Sequence, residues 1–290
     1  MYNTVVIALL LAITFIYALF DTFNNRNIPN IVAYASVVLG AAVTLIFNRD
    51  VLAYSAAFAA VIAVPSYLLY RIGQLGAGDG FELVAISLML PFQPQPFMGN
   101  YPQPNMPFAL SVFIAAGIVT IIGVPLYYLA KNRLDKGISK AISGKIKPDA
   151  TDMMKAVAML AVYLLLFVFT QYFFGETFAS ALLIMVLGIS SATLMMYNKR
   201  INYSMIRMIY PSQLEDGDII AVNLMAERDI SRFRKVSRRF GRLADIGLIK
   251  EIKHVRAKIP VYRNSVPLSL SLFFGVVISL AIGNVLLFLV

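Results

Sequence analysis

The chain has 290 residues, 59% of them hydrophobic and 14% charged, with a mean hydropathy of +0.76. A soluble domain is about half apolar and about a quarter charged, so this composition excludes an ordinary soluble protein and points to a polytopic membrane protein. There is no cysteine and one histidine, His254, which excludes disulfides, thiol catalysis, thiolate metal sites and a paired-histidine zinc motif. Carboxylates, hydroxyls and lysines remain as the chemical repertoire, and no cofactor is called for. The net charge of +10 would point to nucleic acid in a soluble protein; here it points first to cytoplasmic loops facing anionic lipid.

Apolar runs mark eight candidate spans, in order Asn3–Phe20, Ile31–Phe47, Val51–Tyr70, Phe81–Pro91, Pro107–Ala130, Ala156–Phe174, Phe178–Tyr197 and Val266–Val290. The first is not read as a cleaved signal peptide, because no Lys or Arg precedes it and Phe20-Asp21 follows it where an Ala-x-Ala-like site would stand. The fourth is short for a bilayer of about 30 Å and leads into the proline-rich stretch PFQPQPFMGNYPQPNMP, which reads as an irregular loop. The expected fold is an all-α polytopic membrane protein of about eight transmembrane helices, one of them short or irregular, with a small cytoplasmic α+β segment.

Orientation follows from Lys and Arg. With the N-terminus outside, segments 21–30, 71–80, 131–155 and 198–265 are cytoplasmic, and they hold every one of the 25 basic residues except Arg49. Both termini are then outside a cell membrane that the chain crosses several times. The chain divides into a membrane core with the acidic motifs at 1–130, a basic loop and two further spans at 131–197, a basic cytoplasmic domain at 198–265 and a last helix at 266–290.

An ionisable residue in a span is costly and is by default a functional candidate. Three acids qualify: Asp21, Asp79 and Glu82. Asp21 ends the first span and Asp79 precedes the fourth, so the orientation above puts both at the cytoplasmic rim. Such acids can also rest in interfacial water. Gly76, Gly78 and Gly80 surround Asp79. Glycine lacks a Cβ and adopts positive φ freely, so this cluster indicates a bend or the close approach of another backbone, such as an extended peptide substrate. Gly76, further from the acid, is expected to tolerate alanine better than Gly78.

Asp21, then Ile28-Pro29-Asn30 opening the second span, then Gly76-Ala77-Gly78-Asp79, in this order and spacing, resemble the archaeal preflagellin and type IV prepilin peptidases, the Gly-x-Gly-Asp membrane aspartyl proteases. The close resemblance covers about the first ninety residues. It implies Asp21 and Asp79 as the catalytic pair, no cofactor, and a prepilin-like or preflagellin substrate cut behind a short basic leader. By their position beside Asp79, Gly76, Gly78, Gly80 and Glu82 are candidate substrate contacts; Glu82 is otherwise a residue that tunes the pair or an interfacial acid with a polar partner. The chain departs from the pattern at Phe81, where many members carry lysine, and it lacks the cysteine-bearing region of the long bacterial relatives. The competing class is a proton- or ion-coupled transporter, which predicts acids near the midplane and repeat symmetry; the acids lie at one rim and no repeat is evident. A presenilin-type relative would carry a Tyr-Asp pair where this chain has Phe20-Asp21.

In the soluble segment, Ile219–Val222 reads as a strand after the turn-like Glu215-Asp216-Gly217-Asp218. Those acids are either a solvated turn or an attraction for a basic leader. Ile230, Phe233, Val236, Phe240 and Leu243 alternate with basic residues at helical spacing, which predicts a basic amphipathic helix near 228–243. It could lie on anionic lipid, pack as a domain helix or, less favoured, bind nucleic acid; the expected partners are the substrate and membrane lipid, without nucleic acid.

Overall fold

The computed structural model describes residues 4–24, 28–72, 75–98, 106–134, 149–174, 178–237, 239–262 and 268–285. Residues 99–105 of the proline-rich loop, 135–148 of the basic loop, Arg26, Arg238, Arg263, the Val266-Pro267 pair and 286–290 of the last expected span lie outside the described residues. The helices are α1 (Thr4–Phe23), α2 (Asn30–Phe47), α3 (Leu52–Arg71), α4 (Ala77–Met89), α5 (Phe108–Leu134), α6 (Ala150–Phe174), α7 (Phe178–Ser204), α8 (Glu227–Val236), α9 (Ile246–Ile252) and α10 (Leu268–Ile282). Two strands, β1 (Ile206–Ile209) and β2 (Ile259–Tyr262), complete the elements used below.

Among the described residues, α1, α2, α3, α5, α6 and α7 are long and apolar enough to cross a membrane, six helices in all. The chain is thus mostly helical and multi-pass, as its composition requires. The two remaining expected spans are shorter: α4 has 13 residues and α10 has 15. At 1.5 Å per residue each falls short of a bilayer of about 30 Å. α4 also starts at Ala77, four residues before the expected Phe81, so Asp79 lies inside its first turn.

The chain folds as two compact units, one of residues 1–18, 89–204 and 268–290, the other of 19–88 and 205–267. In the first, α10 packs on α5 at backbone distance: a Cβ on Gly275 would lie 2.5 Å from Val112 O and 3.0 Å from Ala116 N. The chain after α4 runs past the end of α10, buried at Pro91, Gln93, Pro94 and Pro96 and exposed at Phe97 and Met98. Gln93 Nε2 donates to Ser279 O (2.9 Å), and the amides of Phe97 and Met98 donate to Leu280 O (3.0 Å) and Ala281 O (2.7 Å). Leu280 O and Ala281 O are carbonyls that a helix end leaves without intrahelical partners, while Ser279 O also accepts from the Gly283 amide at 3.1 Å. Gly283, at φ 82°, closes the helix in the left-handed conformation favoured by glycine. Non-helical backbone at membrane depth is tolerated when other protein groups satisfy it in this way.

In the second unit, α2, α3 and α4 accompany the small α+β domain of residues 205–262. β1 and β2 pair antiparallel, with Ile206 opposite Tyr262 and Ile209 opposite Ile259. The expected strand at Ile219–Val222 reduces to single bridges, Ile219 to Leu243 and Ile220 to Val261, before a 3-10 turn at Val222–Leu224. The expected helix at 228–243 stops at Val236. Ser237 is extended (φ −138°, ψ 120°), and the chain turns back so that Phe240 stacks on Phe233 at 4.9 Å. Both rings enter a core with Ile209, Leu214, Ile220, Ala244, Leu248, Ile252, Ile259 and Val261. Burying two aromatic rings in one core outweighs two further helical turns, three of whose seven residues are basic.

Candidate active site

Asp21 lies in the last turn of α1 and is 6% exposed. It continues the stripe Leu10, Thr14 and Tyr17, all at 0% exposure, at spacings of four, three and four residues along one helical face. The sequence therefore places a carboxylate where its periodicity otherwise places core. Outside water, a carboxylate needs polar company or a proton, so this position is costly for a purely structural residue.

Asp79 occupies the third position of α4 and is half-buried. Its Oδ2 accepts a hydrogen bond from the backbone N–H of Gly76 at 3.2 Å. This is the reach-back half of a capping box, in which a carboxylate at the third helical position satisfies the amide just before the helix. The bond anchors the carboxyl at the helix start. Glu82 follows one turn later at 0% exposure, entirely within the protein.

The glycines hold these pieces together. A Cβ on Gly78 would fall 2.4 Å from Ile28 Cδ1 and 2.9 Å from Ile28 Cβ. Ile28 is the first residue of the Ile28-Pro29-Asn30 stretch, and Pro29 is the N-cap of α2. The two short motifs, fifty residues apart in the chain, are therefore in contact through a side chain that fits only against a glycine. A Cβ on Gly80 would meet Ser66 Cβ of α3 at 2.9 Å, and one on Gly76 would meet Asp79 Oδ2 at 2.8 Å. Among the described residues the glycines with positive φ are Gly217 and Gly283, so conformational freedom is not the reason for this cluster. Close approach is. Gly76 is the milder case of the two: its added Cβ would meet the far end of the Asp79 side chain, which can swing away, whereas at Gly78 it would meet the fixed Cβ of Ile28.

α2 and α4 then run side by side in the same direction. The rings of Tyr34 and Phe81 meet edge to face at 5.4 Å, a Cβ on Gly40 would touch Leu88 Cβ at 3.0 Å, and Thr44 Oγ1 donates to Leu88 O. Phe81 is thus a packing residue of this pair. Sequence reading missed Ile28, Tyr34 and Ser66 as neighbours of the acidic motif, because nothing local marks a partner so distant in the chain.

The acids of the soluble domain form a turn. Asp218 Oδ2 accepts from the Glu215 amide (2.8 Å), and the Gly217 amide donates to Ala244 O (2.8 Å), with Gly217 at φ 89°. Asp218 therefore serves the local backbone. His254 is exposed at the end of α9.

No curated protein and no solved structure matches the chain. Residues 8–124, which contain Asp21, Ile28-Pro29-Asn30 and Gly76–Glu82, match the type IV leader peptidase family. Over that region, the part that carries both acidic motifs, the chain is similar to the type IV leader peptidase family.

Proposed function

We propose that this protein is a membrane aspartyl endopeptidase that removes the short basic leader of prepilin-like or preflagellin proteins at the cytoplasmic membrane face, with Asp21 and Asp79 as its catalytic pair. The observation that carries the reading is the seat of Ile28 on Gly78 inside the family-matched region, which joins the segment seven residues after Asp21 to the residue beside Asp79. Peptide hydrolysis needs a base to activate water and an acid to protonate the leaving nitrogen. Two neighbouring carboxyls that share one proton supply both, because two like charges a few ångströms apart are not readily ionised together. Such a pair titrates as a unit, so base and acid are roles of the pair. In this reading Gly78 and Gly80 let Ile28 and Ser66 close on the head of α4, and Gly76 leaves room for the Asp79 carboxylate. Glu82 backs the site from one turn inside the protein.

The test is leader cleavage of a prepilin-like substrate in membranes containing the full chain. Asp21→Asn and Asp79→Asn keep the side-chain shape but cannot exchange the proton, and each is expected to lower the rate by about 10²–10⁴-fold or more. Glu82→Gln is expected to retain appreciable activity. Full activity in either aspartate variant, with normal protein level, overturns the assignment.

A further inference from the structure

The small domain carries a surface that the peptidase reading does not use. Residues 205–262 hold twelve Lys and Arg against seven Asp and Glu. Ten of their apolar residues, Phe233 among them, are buried in one core. On α8 the buried Phe233 marks the inner side. Arg228, Arg232 and Lys235, at spacings of four and three residues, form a stripe on the opposite side, and all three are exposed. Among the described residues none of the three is within ion-pair distance of an acid. Glu227 and Asp229 share the helix, but they sit in its first turn, where backbone amides accommodate acids. Val236, next to Arg232 on the helix surface, is 48% exposed and adds an apolar edge. A row of unpaired cations flanked by an apolar residue is suited to an anionic surface.

Chain connectivity selects which anionic surface. β1 begins two residues after α7 ends, and β2 ends six residues before α10 begins. At no more than about 3.5 Å per residue, chain length alone limits the start of β1 to about 7 Å, and the end of β2 to about 21 Å, from the helix next to it in sequence. Headgroups are therefore always in reach, whereas a soluble polyanion must be captured from solution.

We propose that the Arg228–Arg232–Lys235 stripe of α8 docks the 205–262 domain on anionic lipid headgroups. Each basic residue near such a surface strengthens docking by about fivefold, which corresponds to about 1 kcal/mol. The interaction weakens with salt as the Debye length shrinks.

The chain has no cysteine, so single labelling sites can be added without removing any. Ser231, exposed between Arg228 and Lys235, is changed to cysteine in the full-length protein and labelled with a fluorophore; Ser212→Cys serves as a reference. The labelled protein is placed in nanodiscs of phosphatidylcholine, with or without phosphatidylglycerol, containing a lipid with a nitroxide on its headgroup. The expected result is stronger quenching at position 231 in the anionic discs, lost on adding salt. It should fall by about fivefold in docking equilibrium for each of Arg228→Gln, Arg232→Gln and Lys235→Gln, with thermal stability unchanged. Equal quenching in neutral and anionic discs overturns the proposal. So does an equal loss from Lys250→Gln with Lys253→Gln, which would make the effect one of overall charge. Protection of the label by an added oligonucleotide but not by anionic lipid would assign the surface to nucleic acid, and overturns it as well.

Discussion

The acidic motifs and the basic domain belong to the same compact unit, yet they are built on opposite economies. Around α4 there are few polar groups, and each stands where little freedom remains: Asp79 bonded to the Gly76 amide, Asp21 in a buried stripe, Glu82 fully enclosed. Helices approach through glycines at distances that no side chain could occupy. In 205–262 charge is plentiful, exposed and redundant, and stability rests on one small aromatic and aliphatic core. The first arrangement concentrates the consequence of a substitution at single atoms. The second spreads function over many side chains and concentrates fragility in its core.

The largest expected effect probes that core. Phe233→Ala removes a ring at 0% exposure that stacks on Phe240, and such truncations cost about 3–5 kcal/mol. Because the core draws only on residues 209–261, the loss should stay local. A cysteine replacing buried Ala244 should become reactive at lower urea, while one replacing buried Leu88 on α4 keeps its wild-type protection. Parallel exposure of both would break the comparison, by showing that the two regions open together.

Gly78→Val tests the opposite arrangement. Its side chain would enter the space of Ile28, where both the flexible Cδ1 and the fixed Cβ lie within 3 Å of the new Cβ. Overpacking of this kind costs about 1–3 kcal/mol. Since Ile28 and Gly78 are the contact between the two motifs, cleavage should fall more than protein level does. Ile28→Ala in the same chain should restore part of the rate, because it vacates that space. A Gly78→Val enzyme with near-normal turnover, or a double variant no better than the single one, would remove the contact from the account of the site.

These two positions also show what the sequence could and could not disclose. The apolar runs located α1, α2, α3 and α5 within a few residues, since a helix long enough to cross a bilayer needs little beyond composition. Asp21 and Asp79 stood out because a carboxylate in an apolar run is expensive. The fit of Ile28 to Gly78 was not legible, since nothing in a glycine names the residue that approaches it. The β1–β2 pair was missed for a related reason: two strands of four residues, fifty residues apart, carry almost no periodic signal. At α8 the period continued past Val236 in the sequence, but Phe240 gained more by stacking on Phe233 than by extending the helix.

Gly76→Ala separates packing from chemistry at a finer scale. The added methyl would lie 2.8 Å from Asp79 Oδ2, the far end of a side chain that can swing away. The expected outcome is therefore a displaced carboxylate rather than a damaged fold. Turnover on a prepilin-like peptide should drop several-fold, with thermal stability and KM close to wild type. A fall in stability with turnover unchanged would instead make Gly76 a purely structural residue.

The smallest effect compares two carboxylates that do the same thing locally. Asp245 is the N-cap of α9 and accepts from the Leu248 amide at 2.6 Å, while Asp79 near the start of α4 accepts from the Gly76 amide at 3.2 Å. If both were only helix caps, removing either would cost about 1 kcal/mol of stability and little else. That is the expectation for Asp245→Ala, measured by urea-dependent protection of a cysteine at Ala244, with leader cleavage unaltered. For Asp79→Asn the expectation is reversed. The amide oxygen of asparagine can still accept the Gly76 N–H, so stability should hold while cleavage is lost. The pair of variants thus asks whether the Asp79 carboxylate does more than finish a helix. If Asp79→Asn behaves like a capping variant, losing about 1 kcal/mol of stability and keeping its activity, the acid at the head of α4 is structural and the catalytic pair must be sought elsewhere.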